Sequence, residues 1–77
     1  MAQAQFFVGL YENQWIITHQ NRQYGPYRTR QEAVKTAVDV AYKEGKKGHE
    51  TKVLVQDEDD QFHAKWSFGQ DAYPPKY

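Results

Sequence analysis

The chain has 77 residues, no cysteine, and ten acidic against ten basic side chains, so its formal net charge is zero. This length allows one small domain and excludes a multi-domain enzyme, while the lack of cysteine excludes a disulfide scaffold and a thiolate metal site. With no long apolar run and no basic leader followed by apolar residues, the sequence predicts a cytoplasmic protein without a membrane segment.

The composition predicts a folded chain in spite of its polarity. A mean hydropathy of −0.99 is strongly hydrophilic. However, 16% of the residues are aromatic, and disordered segments contain few aromatic residues. Without disulfides or metal, such a short chain gains only about 3–5 kcal/mol from its core. Dimerisation is therefore one way in which the fold could gain further stability.

Residues 6–11 and 14–19 are rich in aromatic and β-branched side chains, which predicts a β-hairpin that follows a disordered segment 1–4. If the turn at Glu12-Asn13 has two residues, the apolar pattern of the two strands supports one register for this hairpin. On the predicted core face the cross-strand pairs are Leu10–Trp15, Val8–Ile17 and Phe6–His19.

The middle of the chain predicts a polar loop followed by one helix. Residues 20–28 contain a Gly25-Pro26 turn signal, and Thr29 to Glu32 fits a capping box at a helix start. We expect the helix to reach about Glu44 and to stop at Gly45. Its apolar stripe consists of Ala33, Val34, Ala37, Val38, Val40 and Ala41.

Residues 51–56 and 61–68 predict a second hairpin around the acidic turn 57–60. A two-residue and a four-residue loop both place Val55 opposite Phe62 and Val53 opposite Ala64, with Trp66 on the same face. The predicted fold is therefore α+β, in the order β-β-α-β-β. Two antiparallel hairpins form one four-stranded sheet with a single helix packed on one face. This domain covers residues 5–69, and an irregular Pro-containing tail covers 70–77.

Several of these features resemble a known family. They are Trp15, the Glu32-Ala33 helix start, Ala37 and Ala41, the Gly45 stop, the Val53-Leu54-Val55 strand, the acidic turn, and a Gly69-x-Asp71-x-Tyr73-Pro74-Pro75 ending. Together they resemble the small bacterial family called domain of unknown function 2188, over residues 5–76. The family usually has an Asp-Gly turn where this chain has Asp59-Asp60. The resemblance implies a compact β-β-α-β-β domain in a bacterial or phage cytosol, and it implies no activity.

The sequence predicts no catalytic, metal or cofactor site and no small-molecule substrate. The three histidines (His19, His49 and His63) lie on separate elements without metal-ligand spacing, and Ser67 is a lone serine in the middle of a strand. The acidic turn lacks the twelve-residue calcium loop of an EF-hand. We therefore expect a protein that is not an enzyme.

A candidate binding surface is the sheet face that the helix leaves uncovered. On the predicted register this face contains Phe7, Tyr11, Ile16, Lys52, Leu54, His63 and Lys65. An apolar face of this kind suits a protein partner or a second copy of the chain. Because aromatic and basic side chains alternate there, it also suits single-stranded nucleic acid. Of the two we expect protein contact.

Charge is unevenly distributed along the chain. Residues 22–52 contain eight basic and four acidic side chains, a net charge of +4, and residues 53–77 have a net charge of −3. The nucleic-acid alternative would therefore draw on a basic edge as well as the open face. The residues of that edge are Arg28, Arg30, Lys46 and Lys47.

Overall fold

Five β-strands and one α-helix form the fold within residues 3–74, the part of the chain that this computed structural model describes. The elements are β1 Gln3–Tyr11, β2 Gln14–His19, β3 Arg22–Tyr27, α1 Arg30–Lys46, β4 Glu50–Gln56 and β5 Phe62–Ser67. All strands belong to one sheet in the order β3-β2-β1-β4-β5. The central strands β1 and β4 are parallel, and every other neighbouring pair is antiparallel. The α+β class with one helix is confirmed, but the sheet has five strands rather than four.

The first hairpin has the predicted register, with Val8 opposite Ile17 and Leu10 opposite Trp15. Its turn residues Glu12 and Asn13 have φ values of 50° and 63°, the left-handed conformation of a tight two-residue turn. β1 begins at Gln3, two residues inside the segment predicted to be disordered, and residues 1–2 lie outside the described part of the chain. The alternation of apolar residues therefore identified the hairpin correctly.

The third strand corrects the prediction of a loop over residues 20–28. A second tight turn at Gln20-Asn21, with φ values of 50° and 64°, returns the chain along β2 as β3. The Gly25-Pro26 pair lies in a bulge of this strand rather than in a turn. Proline has no backbone N–H, and it is tolerated in a bulge of an edge strand because no hydrogen bond to a neighbouring strand is needed from its nitrogen there. The sequence does not indicate this strand, because its residues are mostly polar and include Gly25 and Pro26, which are typical of turns.

The helix begins as predicted and ends later. The Thr29 hydroxyl accepts a hydrogen bond from the Glu32 backbone N–H at 3.1 Å, which confirms the N-cap. The helix continues to Lys46, so Gly45 is an internal, buried residue and not the terminator. A Cβ atom at Gly45 would overlap the ring of Phe68, which explains why glycine stands there. The left-handed glycine that follows the helix is Gly48, with a φ of +99°.

Thr29→Ala should lower the free energy of unfolding by about 0.5–2 kcal/mol, because the Glu32 N–H loses its side-chain acceptor. Thr36→Ala is the matched control, since the Thr36 hydroxyl donates to the Glu32 carbonyl within the helix and alanine favours helix. Urea titration of both variants measures the difference. An equal loss from both would contradict the assigned cap.

The core lies between the helix and one face of the sheet. Small helix residues (Ala33, Ala37 and Ala41) allow the helix to approach the sheet closely. The remaining buried apolar residues are Ala4, Phe6, Val8, Ile17, Val38, Val53, Val55 and Trp66. Buried Thr51 on β4 donates its hydroxyl proton to the Ala41 carbonyl at 2.9 Å, which ties the helix to a central strand.

The second hairpin has a different register from the predicted one. The Asp57 N–H donates to the Gln61 carbonyl, and Asp60 has a φ of 62°, so the loop contains three residues instead of two or four. Val55 therefore lies opposite His63 rather than Phe62. Because a one-residue shift moves side chains to the other face, the predicted core positions of Phe62 and Ala64 are wrong.

A β-bulge then reverses the effect of that shift. Leu54 pairs with Ala64, but the next pair is Val53 with Trp66, so Lys65 is the additional residue of the bulge. The bulge returns Trp66 to the core face, where its side chain is 2% exposed. The predicted core placement of Val53, Val55 and Trp66 is confirmed.

Residues 70–74 have no helix or strand and pack on the end of the core. The Asp71 carboxylate accepts from the Ser67 N–H at 2.8 Å, and the indole N–H of Trp66 donates to the Ala72 carbonyl at 2.9 Å. Tyr73 stacks on Tyr42 of the helix with ring centroids 3.8 Å apart, and its hydroxyl donates to Asp39. Residues 70–74 therefore have a structural role, because their contacts hold them against the end of the core. Residues 75–77, with Pro75, lie outside the described residues.

Candidate interaction surface

The sheet face opposite the helix, called the open face below, consists of side chains that alternate with core residues along each strand. The helix covers only the other face, so no element in residues 3–74 packs over the open face. Its residues in the middle of the sheet are Phe7, Gly9, Tyr11, Ile16, Thr18, Lys52, Leu54, Gln56, Phe62 and Ala64.

The centre of the open face is apolar. The rings of Phe7 and Phe62 meet edge to face, with centroids 5.4 Å apart. The Phe62 ring lies beside Gly9, where an added Cβ atom would be 3.1 Å from the ring. Leu54 pairs with Phe7 across β1 and β4 and with Ala64 across β4 and β5. These side chains form one continuous apolar patch that spans three strands.

The patch borders a shallow depression of about 220 Å³. Its lining combines apolar and uncharged polar residues: Phe7, Gly9, Leu10, Tyr11, Ile16, Thr18, Gln23, Gln56 and Phe62. The Gln56 side chain is fixed in this wall because its amide oxygen accepts from the Leu10 N–H at 2.8 Å. The lining of the depression therefore contains no charged side chain, and a hydrogen bond holds the Gln56 side chain in place there.

The open face includes five of the seven predicted surface residues, namely Phe7, Tyr11, Ile16, Lys52 and Leu54. His63 and Lys65 do not belong to it. His63 pairs with the buried Val55, and its Nε2 lies 3.1 Å from an Asp59 oxygen. Lys65 Nζ lies 3.2 Å from an Asp57 oxygen. The three-residue loop and the bulge are the physical reason for both corrections.

Asp57 is the centre of a charge cluster at the end of the sheet. Its carboxylate contacts Arg30 at 3.1 Å and Lys65 at 3.2 Å, with His63 at 3.8 Å. The Asp59 carboxylate is hydrogen-bonded to the Gln61 backbone N–H and to the His63 side chain, and these two contacts hold the pKa of Asp59 below its ordinary value. The cluster therefore neutralises cations that the sequence had assigned to a binding surface.

The four residues of the predicted basic edge do not form one edge. Arg28 and Arg30 lie at the start of the helix, and Lys46 and Lys47 lie at its end, roughly 24 Å away along the helix axis. Arg30 is paired with Asp57, and Lys47 lies 3.7 Å from Glu44. Lys46 lies 5.6 Å from the centre of the Tyr42 ring.

A larger cavity of about 770 Å³ lies between the first hairpin and the acidic turn, lined by Leu10, Trp15, Arg30, Gln56 and residues 57–60.

In residues 3–74 no group of three or more His, Cys, Asp or Glu side chains is placed to hold a metal ion. His19 stacks on Phe6 with ring centroids 4.0 Å apart. Within the same residues no helix is long and apolar enough to cross a membrane.

Comparison with known protein families places this chain beside one described as conserved in bacteria. Residues 8–68 match the family described as "Uncharacterized protein conserved in bacteria (DUF2188)". The matched range ends before the Gly69 to Pro75 ending that contributed to the resemblance. It begins at Val8 within β1 and includes the rest of the first hairpin, β3, the helix, the acidic turn and the second hairpin. Searches of curated proteins and of solved structures find no significant match. Because the match covers most of its length, the chain belongs to the DUF2188 family of bacterial proteins.

Proposed function

We propose that this chain is a small, non-enzymatic protein-interaction module of the bacterial cytosol that acts as a homodimer through its open face. The observation that supports this proposal is the apolar patch of Phe7, Leu54 and Phe62 on a sheet face that the helix does not cover. The lack of cysteine supports the cytosolic location.

Exposed aromatic side chains favour a protein contact at this face. Phe62 is 42% exposed and Tyr11 is 60% exposed. Contiguous apolar patches on small soluble domains mark interaction sites, and aromatic residues are enriched at the centres of such sites. A sheet with apolar side chains on both faces is stable in water when each face packs against another layer. A partner would supply that layer.

The size and shape of the face fit a second copy of the chain. Five strands spaced about 4.8 Å apart and six residues long at about 3.3 Å each give a footprint of roughly 500 Å². Two such faces together bury on the order of 1,000 Å², the lower range of specific interfaces. A sheet face can also pack against its own copy about a twofold axis. We therefore expect a dimer that dissociates on dilution.

The positions of the cations favour protein over nucleic acid. Phosphate binding requires Lys or Arg close to the stacking rings. Among the described residues of the open face, Lys52 is the only lysine or arginine, since Lys65 lies outside this face and pairs with Asp57. Single-stranded nucleic acid remains the alternative ligand that the experiments below can detect.

The first test is sedimentation velocity over a wide concentration range. The wild type should change from monomer to dimer, and Leu54→Glu should stay monomeric because an unpaired charge would be buried in the contact. Val40→Glu is the matched control, since Val40 is 41% exposed on the helix, and it should dimerise like the wild type. A monomeric wild type at the highest concentration, or equal weakening by both variants, would contradict the proposal.

The second test is fluorescence anisotropy with labelled single-stranded DNA and RNA at low and moderate salt. We expect no binding. Micromolar affinity that falls with a log–log slope near −0.7 per neutralised phosphate would instead support the nucleic-acid function. In that case Phe7→Ala should cost about 1–3 kcal/mol for each stacked base.

A further inference from the structure

The larger cavity lies at the carboxyl ends of the two parallel strands, β1 and β4, and is called the crevice below. The β1–β4 ladder ends with the pair Val8–Val55, and beyond it the Leu10 N–H donates to the Gln56 side chain at 2.8 Å. From here the chain leaves β1 toward β2 on one side and leaves β4 toward β5 on the other. Open α/β sheets bind ligands at such a point, because the diverging connections leave room between the two strands.

One wall of the crevice is apolar. Leu10 and Trp15 form a cross-strand pair that continues the core face past Val8 and Ile17. The helix, which begins at Arg30, leaves this end of the core face partly uncovered, so Leu10 is 48% exposed and Trp15 is half-buried. The crevice therefore lies on the helix side of the sheet, with an aromatic ring in its lining.

The opposite wall is anionic. Residues 57–60 contribute four carboxylates to the lining, which contains one cation, Arg30. Lys65 contacts this group of carboxylates from outside the lining. With both cations counted and histidine neutral, a net charge of −2 remains.

The excess charge belongs to two side chains of the acidic turn. Asp57 is contacted by the two cations just named, and Asp59 is hydrogen-bonded to His63. Glu58 and Asp60 are exposed, and no cation of residues 3–74 lies within 4.0 Å of either carboxylate. The crevice thus combines an aromatic wall with two carboxylates that no ion pair within the described chain neutralises.

We propose that the crevice binds an arginine side chain of a partner protein, with the guanidinium between the Trp15 ring and the carboxylates of Glu58 and Asp60. A guanidinium stacks on an aromatic face and donates several hydrogen bonds to carboxylates at the same time. A volume of about 770 Å³ also admits neighbouring residues of the same segment, since ligand pockets measure about 300–1,000 Å³. The inference does not depend on the proposed homodimer, which uses the other face of the sheet.

NMR titration with an acetylated, amidated triarginine peptide tests the site directly. The chain has two tryptophans, and the indole N–H signal of Trp15 should shift on binding. The signal of Trp66 should not, because that N–H donates to the Ala72 carbonyl inside the fold. Trp15→Phe identifies the two signals, since it retains only that of Trp66. The corresponding tricitrulline peptide, which has the same shape without the charge, should cause no shift.

Glu58→Gln should weaken binding of the triarginine peptide by about two- to five-fold at low salt, the loss expected for one exposed ion pair. Glu50→Gln is the matched control, because it removes the same charge from an exposed position at the other end of β4. It should bind the peptide like the wild type. High salt should weaken binding to all three proteins.

Four results would overturn the proposal. They are an absence of any Trp15 shift, an equal shift of both indole signals, equal binding of the tricitrulline peptide, and equal weakening by Glu58→Gln and Glu50→Gln. The last of these would mean that the peptide follows net charge and not the crevice. Spermidine is titrated in parallel. A Trp15 shift with spermidine but none with triarginine would assign the crevice to a small cation instead of a partner protein.

Discussion

Trp66→Ala should lower the free energy of unfolding by about 3–5 kcal/mol and abolish cooperative unfolding. The Trp66 side chain is 2% exposed, and its ring contacts Phe68 and Tyr73 in edge-to-face pairs. The substitution leaves a cavity under the helix and removes the hydrogen bond to the Ala72 carbonyl. Because a core of this size supplies only about 3–5 kcal/mol, the loss is comparable with the whole stability.

Trp15→Ala is the control for this prediction. The sequence alone gives the two tryptophans equal weight, but Trp15 is only half-buried and lines the cavity beside the acidic turn. We therefore expect a smaller loss at Trp15 than at Trp66, measured by urea titration followed by circular dichroism. A cooperative transition at the wild-type midpoint in Trp66→Ala would mean that the assigned core face is wrong.

Gly45→Ala should destabilise the protein by about 1–3 kcal/mol, although alanine is the better helix former by about 1 kcal/mol. The reason is steric, because the new Cβ atom would overlap the ring of Phe68, which lies directly against the helix backbone at this point. Phe68 has little room to move away, since its ring also contacts Tyr42 and Trp66.

The double variant Gly45→Ala/Phe68→Leu isolates this overlap. Leucine removes the ring atoms that meet the new methyl group, so adding Gly45→Ala to a Phe68→Leu background should cost much less than adding it to the wild type. Thermal and urea unfolding of the four proteins provide the double-mutant cycle. A stabilising Gly45→Ala in the wild-type background would show that helix propensity outweighs the contact with Phe68.

The parts of the fold that follow from local chemistry could be predicted from the sequence. The alternation around Glu12-Asn13 fixes the first hairpin, and the Thr29 cap fixes the helix start. The third strand could not be predicted this way, because Gly25 and Pro26 are typical turn residues and act here as a bulge on an edge strand. The sequence predicts a helix end at Gly45 because glycine is typical of helix termini. In the structure glycine is needed there for a different reason, since the Phe68 ring lies against the helix backbone.

The open face depends on one loop residue that the sequence leaves ambiguous. Asp60 adopts a left-handed conformation, which makes the acidic loop three residues long and exchanges the faces of the residues that follow it. This exchange brings Phe62 to the open face and moves His63 to the acidic cluster. The sequence contains one indication of this loop, because Asp is among the residues that readily adopt the left-handed conformation. It does not determine the loop length, because a three-residue loop keeps Trp66 in the core only together with the bulge at Lys65, and no local sequence pattern indicates that bulge.

An isotope-filtered NOE experiment on a mixture of labelled and unlabelled protein tests most directly whether a second copy covers the open face. We expect intermolecular contacts from the methyl groups of Leu54, Ile16 and Ala64 to the rings of Phe7 and Phe62. The methyl groups of Val40, exposed on the helix, should show none. Intermolecular contacts confined to Val40 and the helix, or none at all at concentrations near 1 mM, would contradict a homodimer formed through this face.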